Sequence, residues 1–225
     1  MAALAGRIQG CRRCPRLVAW REEAARTKRA AFRDQTYWGR PVAGFGDPEA
    51  RVVLVGLAPA AHGANRTGRV FTGDRSGDFL FGALHRKGFA NQAESRQRGD
   101  GLEMRDAFVT AIVRCAPPAN KPSAHERTEC RPWLEAELDL LPRARVAVAL
   151  GGEAWRQLLR VLRERGLEVP RPAPRFGHGV EAAFGGWTLL GAYHPSQQNT
   201  FTGRLTPAML DAVLARAREL AAGST

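Results

Sequence analysis

The sequence contains no apolar run long enough to cross a membrane, and its first residues do not have the composition of a secretion signal. A bilayer-spanning helix needs about 20 predominantly apolar residues, and no stretch of this chain approaches that length. The amino-terminal stretch, MAALAGRIQGCRRCPRL, has neither a long apolar core nor a small-residue cleavage site. We therefore expect a cytoplasmic protein with no membrane partner.

Cysteine is also scarce, and the four cysteines are Cys11, Cys14, Cys115 and Cys130. In a reducing cytoplasm they are poor candidates for disulfides and are better interpreted as metal ligands. A zinc ribbon uses two close pairs, whereas a [4Fe-4S] cluster needs one thiolate at each of four separated irons. One close pair with two distant single cysteines favours the cluster over zinc, and free buried cysteines are the third alternative. Because the chain has no flavin or nicotinamide fingerprint, we expect a structural cluster.

Lysine is almost absent, since Lys28, Lys87 and Lys121 are the only lysines among 34 basic residues. The formal net charge is nevertheless +12. An excess of positive charge favours a polyanionic partner such as nucleic acid, because basic side chains displace counterions from phosphates. A composition rich in Arg and Ala is also what a GC-rich genome produces, so charge alone does not establish DNA binding.

Four short apolar runs alternate with stretches of helical periodicity, and we find no internal repeat. The runs predict buried strands at 51–57, 107–113, 144–152 and 187–195. The periodic stretches predict helices near 16–31, 76–87, 124–141, 153–166 and 206–222. This alternation indicates a single α/β domain, residues 1–225, with a mainly parallel four-stranded sheet between helices. Functional groups are then expected at the carboxyl ends of the strands.

Three loops that follow predicted strands hold most of the unusual residues. They contain the turn GLAPA, the Pro-rich segment RCAPPANKPS and the segment HPSQQN. Each residue alone has a structural explanation. Asp74 precedes a helix and is suited to capping it, Asn120 and Asn199 are suited to turns, and His194 is suited to a strand end. The convergence of the three loops on one sheet edge favours a functional site.

The motifs GLAPAAHGANRTGRVFTGD, CxxC, RCAPPANKPS and HPSQQN together resemble the type B, or family 5, uracil-DNA glycosylases, which are iron-sulfur members of the uracil-DNA glycosylase superfamily. The resemblance extends from Cys11 to about Thr206. It implies a three-layer α/β/α sandwich, a [4Fe-4S] cluster and removal of uracil and related deaminated bases from DNA. Better-known relatives carry Asp or Asn in the first motif to position water, whereas this chain has Ala58 there, as type B enzymes do.

The resemblance assigns roles around the departing base. Breaking an N-glycosidic bond places negative charge on the base and positive charge on the sugar, so a site stabilises either one. His194 is expected to donate a hydrogen bond to a uracil carbonyl oxygen. Asp74 is expected to orient water or balance the sugar cation, as an alternative to capping. Phe71 is expected to stack on a flipped base, and Asn120 to bind the base edge and assist catalysis.

The remaining candidate residues are expected around these four. Gly56, Ala58 and His62 are expected to shape the base pocket. The expected DNA contacts are Asn65, Arg66, Ser196, Gln197, Gln198 and Asn199. The expected substrate is double- or single-stranded DNA containing uracil, hypoxanthine or xanthine, and the protein is expected to be a monomer. A non-catalytic iron-sulfur DNA-binding module and a hydrolase of free nucleosides are the alternatives from other classes.

Overall fold

The computed structural model describes residues 1–223, so the last two residues of the predicted domain 1–225 lie outside the described part. The strands are β1 (Phe45–Gly46), β2 (Val52–Gly56), β3 (Ala107–Ala111), β4 (Val146–Leu150), β5 (Glu181–Phe184) and β6 (Trp187–Ala192). The helices are α1 (Ala2–Gln9), α2 (Pro15–Thr27), α3 (Ala64–Thr67), α4 (Arg75–Arg86), α5 (Ala124–Asp139), α6 (Gly152–Glu164), α7 (Gln197–Phe201) and α8 (Pro207–Ala222).

The described strands form one sheet in the order β1-β3-β2-β4-β6-β5. Strands β2, β3, β4 and β6 are parallel, and they are the four strands that the apolar runs predict. The four-stranded sheet is corrected to six strands, because β1 and β5 pair antiparallel at the two edges. Strand β1 has only two residues and β5 is largely solvent-exposed, so neither carries the apolar signal of a buried strand.

Each face of the sheet packs against its own layer of helices. Side chains alternate along a strand, so Val53 and Val55 point to one face and Val52 and Leu54 to the other. The first face packs against residues of α1, α2, α5 and α6, and the second against residues of α4 and α8. The predicted α/β/α sandwich is therefore confirmed.

The five predicted helices are present with ends shifted by a few residues, and α1, α3 and α7 were not predicted. Helices α3 and α7 have four and five residues, which is too short for helical periodicity to be visible. No helix within residues 1–223 is both long and apolar enough to span a bilayer. Because the four central strands are parallel, the loops after β2, β3 and β6 emerge at the same sheet edge.

Candidate active site

A cavity of about 500 Å³ lies where the loops after β2, β3 and β6 meet. The segment after β2 contributes mainly apolar side chains together with Asp74, Arg75 and Ser76, and the other two loops contribute polar side chains. The residues that line it are Leu57, Ala58, Pro59, Ala60, Ala64, Val70, Phe71, Asp74, Arg75, Ser76, Asn120, His194, Ser196, Gln197 and Gln198. A concave, mostly apolar cavity with a few convergent polar groups is the usual form of a small-ligand site.

Phe71 is held in the cavity by an unusual backbone and by glycine neighbours. Its φ is 51°, in the left-handed region that a bulky residue rarely adopts. A Cβ on Gly56 would lie 2.7 Å from the Phe71 ring, and a Cβ on Gly77 would overlap the Phe71 carbonyl oxygen. The two glycines thus leave the space that the ring and backbone of Phe71 occupy. Strain of this kind persists only where the surrounding structure enforces it.

His194 lies next to Phe71 in the cavity wall, with ring centroids 5.8 Å apart and planes inclined by 34°. Its backbone carbonyl accepts hydrogen bonds from the Ser196 backbone at 2.7 Å and from Asn199 Nδ2 at 2.9 Å. Within residues 1–223, the imidazole ring makes no hydrogen bond to another side chain or to the backbone. Burial lowers the pKa of His194 to about 4, so the ring is neutral near pH 7. A neutral imidazole carries one N–H donor, which is available to a bound molecule.

Asp74 both caps α4 and lines the cavity. Its Oδ1 accepts a hydrogen bond from the Gly77 backbone at 3.0 Å, as an N-cap residue does. A Cβ on Gly63 would overlap Oδ2, so this glycine makes room for the carboxylate. Burial raises the pKa of Asp74, while hydrogen bonds from the Gly77 and Ser76 backbones oppose that rise. The capping role and a role in the cavity are therefore compatible.

Asn120 is exposed at the rim of the cavity on the loop after β3. Ala119 and Asn120 are consecutive left-handed residues, with φ of 51° and 56°. Asn tolerates this conformation, whereas Ala adopts it at a cost. The turn directs the chain so that Asn120 joins a cavity whose other walls come from distant parts of the sequence.

The four cysteines line a second cavity, on the α1, α2 and α5 side of the sheet. Cys11 and Cys14 directly precede α2, Cys115 follows β3, and Cys130 lies on α5. No group of three or more His, Cys, Asp or Glu in the described part of the chain is arranged around one metal ion. A [4Fe-4S] cluster distributes its ligands over four irons, one thiolate to each.

Hydrogen-bond donors already point at two of the sulfurs. Arg21, buried to 2% exposure, donates from Nη1 to Cys115 Sγ at 3.0 Å, and the Arg114 backbone donates to Cys130 Sγ at 3.2 Å. Within residues 1–223 the buried Arg21 Nε has no partner. Burial raises the pKa of Cys14 to about 11, that of Cys130 to about 12, and also that of Cys115. Four thiols beside a buried cation and N–H donors fit a thiolate-bound iron-sulfur cluster, which would displace the thiol protons.

A family model described as the uracil DNA glycosylase superfamily matches residues 43–218. The chain belongs to the uracil-DNA glycosylase superfamily. It is 57% identical to a type-5 uracil-DNA glycosylase of Mycobacterium tuberculosis, over 95% of this chain and 79% of that protein. It is 53% identical to the type-5 uracil-DNA glycosylase of Thermus thermophilus, over 95% of both chains, and 46% identical to that of Pyrobaculum aerophilum, over 94% of this chain and 89% of the relative.

For this member of the uracil-DNA glycosylase superfamily, the structure brings most of the predicted residues to one cavity. The predicted residues that line it are Ala58, Phe71, Asp74, Asn120, His194, Ser196, Gln197 and Gln198. Gly56 contributes from beneath, by leaving space for the Phe71 ring. Asn199 does not line the cavity but supports it, because its Nδ2 donates a hydrogen bond to the His194 carbonyl.

Three predicted residues of the first loop do not line the cavity, and their side chains make contacts within the protein. Asn65 is fully buried and its Nδ2 donates to the Arg21 carbonyl at 3.1 Å, so the prediction that it contacts DNA is wrong. His62 does not line the cavity, and its Nδ1 lies 3.1 Å from the Tyr37 hydroxyl.

Arg66 is the third of these residues. Its guanidinium and Nε donate hydrogen bonds to the His62 and Gly73 carbonyls and to Gln35, at 2.6–2.8 Å. Its carbon Cζ also lies 4.0 Å from the centre of the Phe32 ring. These internal contacts hold the first loop together, and a contact between the half-buried Arg66 and DNA stays a prediction.

Sequence reasoning missed Arg75, an exposed cation in the cavity wall, and the supporting glycines Gly63 and Gly77. Their signal is present in the motif GANRTGRVFTGDRSGD, where glycines recur on both sides of Phe71 and Asp74. Recurrent glycines mark places where backbone or side chains approach closely. Reading them that way would have indicated a tightly built loop.

Proposed function

We propose that the protein is a monofunctional DNA glycosylase that removes uracil from DNA and so initiates base excision repair. The observation that carries this proposal is the neutral His194 ring, which lies next to Phe71 in the wall of a 500 Å³ cavity and has no hydrogen bond to another described residue. A flipped pyrimidine needs an aromatic surface to stack on and a donor for its carbonyl oxygen. Phe71 and His194 offer these two contacts together. The names of the type-5 relatives agree with this substrate.

The chemistry follows from the position of the charge. As the bond between the sugar carbon C1′ and the base nitrogen breaks, its electron pair moves onto the uracil ring and its carbonyl oxygens. The His194 N–H stabilises that anion by a hydrogen bond and keeps its proton, because the ring is already neutral. Water then attacks C1′, and the raised pKa of Asp74 suits it to accept the proton that the water loses.

Ala58 gives the site its breadth. With a methyl group where a water-positioning Asp or Asn would stand, the cavity depends on stabilising the leaving base. Deaminated purines share a carbonyl oxygen next to a ring N–H with uracil, and the cavity volume is within the range of sites for small ligands. We propose that hypoxanthine and xanthine are also removed, more slowly than uracil because they fill more of the cavity.

The substrate reaches this cavity from DNA. The bond to be cut is inside the stack in a duplex, so the nucleotide must be flipped out. The net charge of +12 favours DNA binding. Gln197 and Gln198 are exposed at the cavity rim, and we propose that they contact the backbone near the flipped nucleotide. We propose a monomer that acts on double- and single-stranded DNA in the cytoplasm.

A [4Fe-4S] cluster held by Cys11, Cys14, Cys115 and Cys130 completes the proposal. When bound, it supplies a cross-link between chain segments that are distant in sequence. The four cysteines would tie the start of α2 to the loop after β3 and to α5. Arg21 and the Arg114 backbone would donate to its sulfur ligands. The cluster is proposed as a structural element, and no step of the reaction passes through it.

The test is a glycosylase assay on matched oligonucleotides that carry uracil, hypoxanthine or xanthine at one position. We expect alkali-labile abasic sites from all three bases, with uracil fastest. The variant Ala58→Asp is expected to gain no rate on uracil, because a new buried carboxylate would repel the departing anion. Inactivity on every oligonucleotide would overturn the glycosylase proposal. Strict confinement to uracil, or a large gain from Ala58→Asp, would overturn the proposal of breadth.

A further inference from the structure

Phe71 has a backbone conformation that a bulky residue does not favour, so contacts around it must maintain that conformation. Its φ of 51° lies in the left-handed region. Gly56 and Gly77 leave space for its ring and carbonyl, but space alone does not select one conformation. The contacts that select it belong to the residues on either side of Phe71 in the chain.

Thr72 ties together the chain on the two sides of Phe71. It is fully buried, and its Oγ1 donates a hydrogen bond to the Val70 carbonyl at 3.2 Å. This bond joins the side chain after Phe71 to the carbonyl before it, so it closes a short ring that contains Phe71. Thr67 Oγ1 in turn donates to the Thr72 carbonyl at 3.1 Å. The backbone is thus held by side-chain hydrogen bonds before and after Phe71.

Two further side chains orient the Thr72 hydroxyl. Arg69 donates from Nε to Thr72 Oγ1 at 3.1 Å and from Nη2 to Ser95 Oγ at 2.8 Å. Ser95 Oγ lies 2.5 Å from Thr72 Oγ1, and the Ser95 carbonyl accepts a hydrogen bond from the Gly73 backbone at 3.3 Å. Because Thr72 donates to Val70, it accepts from both Arg69 and Ser95. These contacts use the one proton and the two lone pairs of its hydroxyl.

Ser95 belongs to a mostly exposed loop, residues 91–103, which lies between α4 and β3. Ser95 is the one buried residue within this loop, at 2% exposure. Asp100 of the same loop forms an ion pair with Arg69 at 2.5 Å, and 9% and 10% of the Arg69 and Asp100 side chains are exposed. Both loop residues therefore contact the segment that carries Phe71.

The Asp100 carboxylate fixes the loop to Arg69. It accepts hydrogen bonds from the Arg96, Gln97 and Leu102 backbones at 2.8–3.2 Å. Burial acts to raise the pKa of Asp100, but the hydrogen bonds from Arg69 and from these backbone groups hold that pKa well below its usual range. Asp100 is therefore charged near pH 7, and its charge sets the position of the Arg69 guanidinium.

This arrangement demands more of the chain than glycine would at the same position. Glycine adopts a φ of 51° at no steric cost, whereas the chain has a bulky ring there with a polar cluster beside it, made of Arg69, Thr72, Ser95 and Asp100. The ring lies in the wall of the cavity, next to His194. The polar cluster is thus explained by the place that it gives to the Phe71 ring.

We propose that Thr72, held by Arg69 and by the loop 91–103, fixes the Phe71 ring as the stacking surface for the flipped base. This inference rests on the proposed glycosylase function. Thr72 and Ser95 are positioning residues, because they act through Phe71 and do not line the cavity. Without the Thr72 hydroxyl, the backbone of Phe71 is free to leave the left-handed region, and the ring then moves out of the place where a base stacks.

The test separates binding of the base from binding of the DNA. One oligonucleotide carries 2′-fluoro-2′-deoxyuridine, whose fluorine destabilises the sugar cation, so that uracil is bound without being released. A matched oligonucleotide carries an abasic-site analogue and presents no base. For Thr72→Val, which removes the hydroxyl and keeps the shape, we expect affinity for the first DNA to fall by about 5- to 20-fold and affinity for the second to stay within about twofold, because part of one aromatic stacking contact is lost.

Three variants serve as controls. Thr72→Ser keeps the hydroxyl and should bind both oligonucleotides as the wild-type protein does. Thr128→Val is the matched control, since Thr128 is an exposed threonine of α5 whose hydroxyl donates to the Ala124 carbonyl in its own helix. Ser95→Ala leaves Thr72 in place and should weaken base binding in the same direction by a smaller factor. It also tests the proposal if Thr72→Val does not fold.

A double variant distinguishes positioning from general destabilisation. If Thr72 acts through the ring, Thr72→Val should lower base affinity in the wild-type background but add less than about a twofold loss to Phe71→Ala, since coupled residues are non-additive. A residue that only stabilises the fold would add the same loss in both backgrounds. Single-turnover rates of uracil release should follow the same pattern.

Three results would overturn the inference: equal losses on the base-containing and abasic oligonucleotides, the same loss with and without the Phe71 ring, or unchanged base binding by Thr72→Val. Each of them can occur while the wild-type protein releases uracil, and the proposed function would then stand. Wild-type protein that releases uracil from no oligonucleotide would overturn the proposed function and the role of Thr72 with it.

Discussion

In the active-site cavity, the His194 ring makes no hydrogen bond to another described residue, whereas in the cysteine cavity two sulfurs already accept hydrogen bonds from Arg21 and from the Arg114 backbone. The first cavity is open to about 500 Å³ of space, and the second is enclosed by the start of α2, α5 and the loop after β3. The first arrangement leaves an N–H donor available to a bound molecule, whereas the second fixes the positions of two of the four sulfurs within the fold.

The largest expected effect belongs to the cysteine cavity. If it holds a structural [4Fe-4S] cluster, Cys115→Ser removes one ligand and releases the loop after β3. We expect about four irons per wild-type chain, fewer in the variant, and a loss of about 4–5 kcal/mol of stability, as for other lost metal sites. In a chain of this size that lowers the melting temperature by about 10–20 °C. Iron analysis and thermal unfolding measure both effects.

Wild-type protein that purified without iron and with stoichiometric zinc would contradict the proposed cluster. So would a Cys115→Ser variant that melted at the wild-type temperature with unchanged iron content. Either result would mean that the second cavity does not hold a cluster that stabilises the fold.

In the active-site cavity, the corresponding change affects rate more than stability. His194→Ala removes the donor that faces Phe71, and we expect single-turnover uracil release to fall by about 10²- to 10³-fold, the effect of losing one preorganised donor. Binding to DNA that already contains an abasic site should change little. His85→Ala, an exposed histidine in the last turn of α4, is the control. Cleavage near the wild-type rate would return His194 to a structural role.

Gly56→Ala tests whether the space beneath the Phe71 ring is needed for uracil release, as the His194 donor is expected to be. The new methyl group would lie 2.7 Å from the ring and displace it. We expect a stability loss of about 1–3 kcal/mol from overpacking and slower uracil release. Gly6→Ala is the matched control, since no atom lies within 4 Å of its added methyl group. Gly6 is inside α1, so this control should be neutral or slightly stabilising.

The smallest expected effect is a pH dependence that comes from His194 alone. Because its pKa is lowered to about 4 in the folded state, the unfolded chain binds a proton there first as the pH falls below about 6.5. Its contribution to stability is complete above that pH and is lost as the pH falls toward 4. The wild-type melting temperature should therefore fall more steeply over this range than that of His194→Gln. Parallel curves would mean that His194 is not buried as a neutral ring.

The central strands and the cavity could be predicted because their signals are local. The run RVVLVGL is apolar throughout, and a strand buried on both faces requires that pattern. The edge strand β5 could not be predicted, because its residues are mostly exposed and its pairing with β6 depends on the fold. His194 and Ala58 were found through motifs that follow strand ends.

The burial of Asn65 could not be predicted from its motif. Nothing local distinguishes an exposed Asn from one that is fully buried against the Arg21 carbonyl, since the partner is 44 residues away. The internal partners of Arg66 and His62, Gln35 and Tyr37, also come from the preceding segment and could not be predicted from the motif. An apolar residue such as Phe201 suggests the core from sequence alone, and only the fold reveals that this last residue of α7 is 67% exposed.

The left-handed backbone of Phe71 has a consequence for how a nucleotide is received. A mobile ring would lose rotational freedom each time a base stacked on it, and that loss would weaken binding. Here the conformation of Phe71 is set when the chain folds, since its backbone is held at φ of 51° and its ring and carbonyl fill the space that Gly56 and Gly77 leave. The entropy of ordering the stacking surface is thus lost once per protein molecule and not once per damaged base.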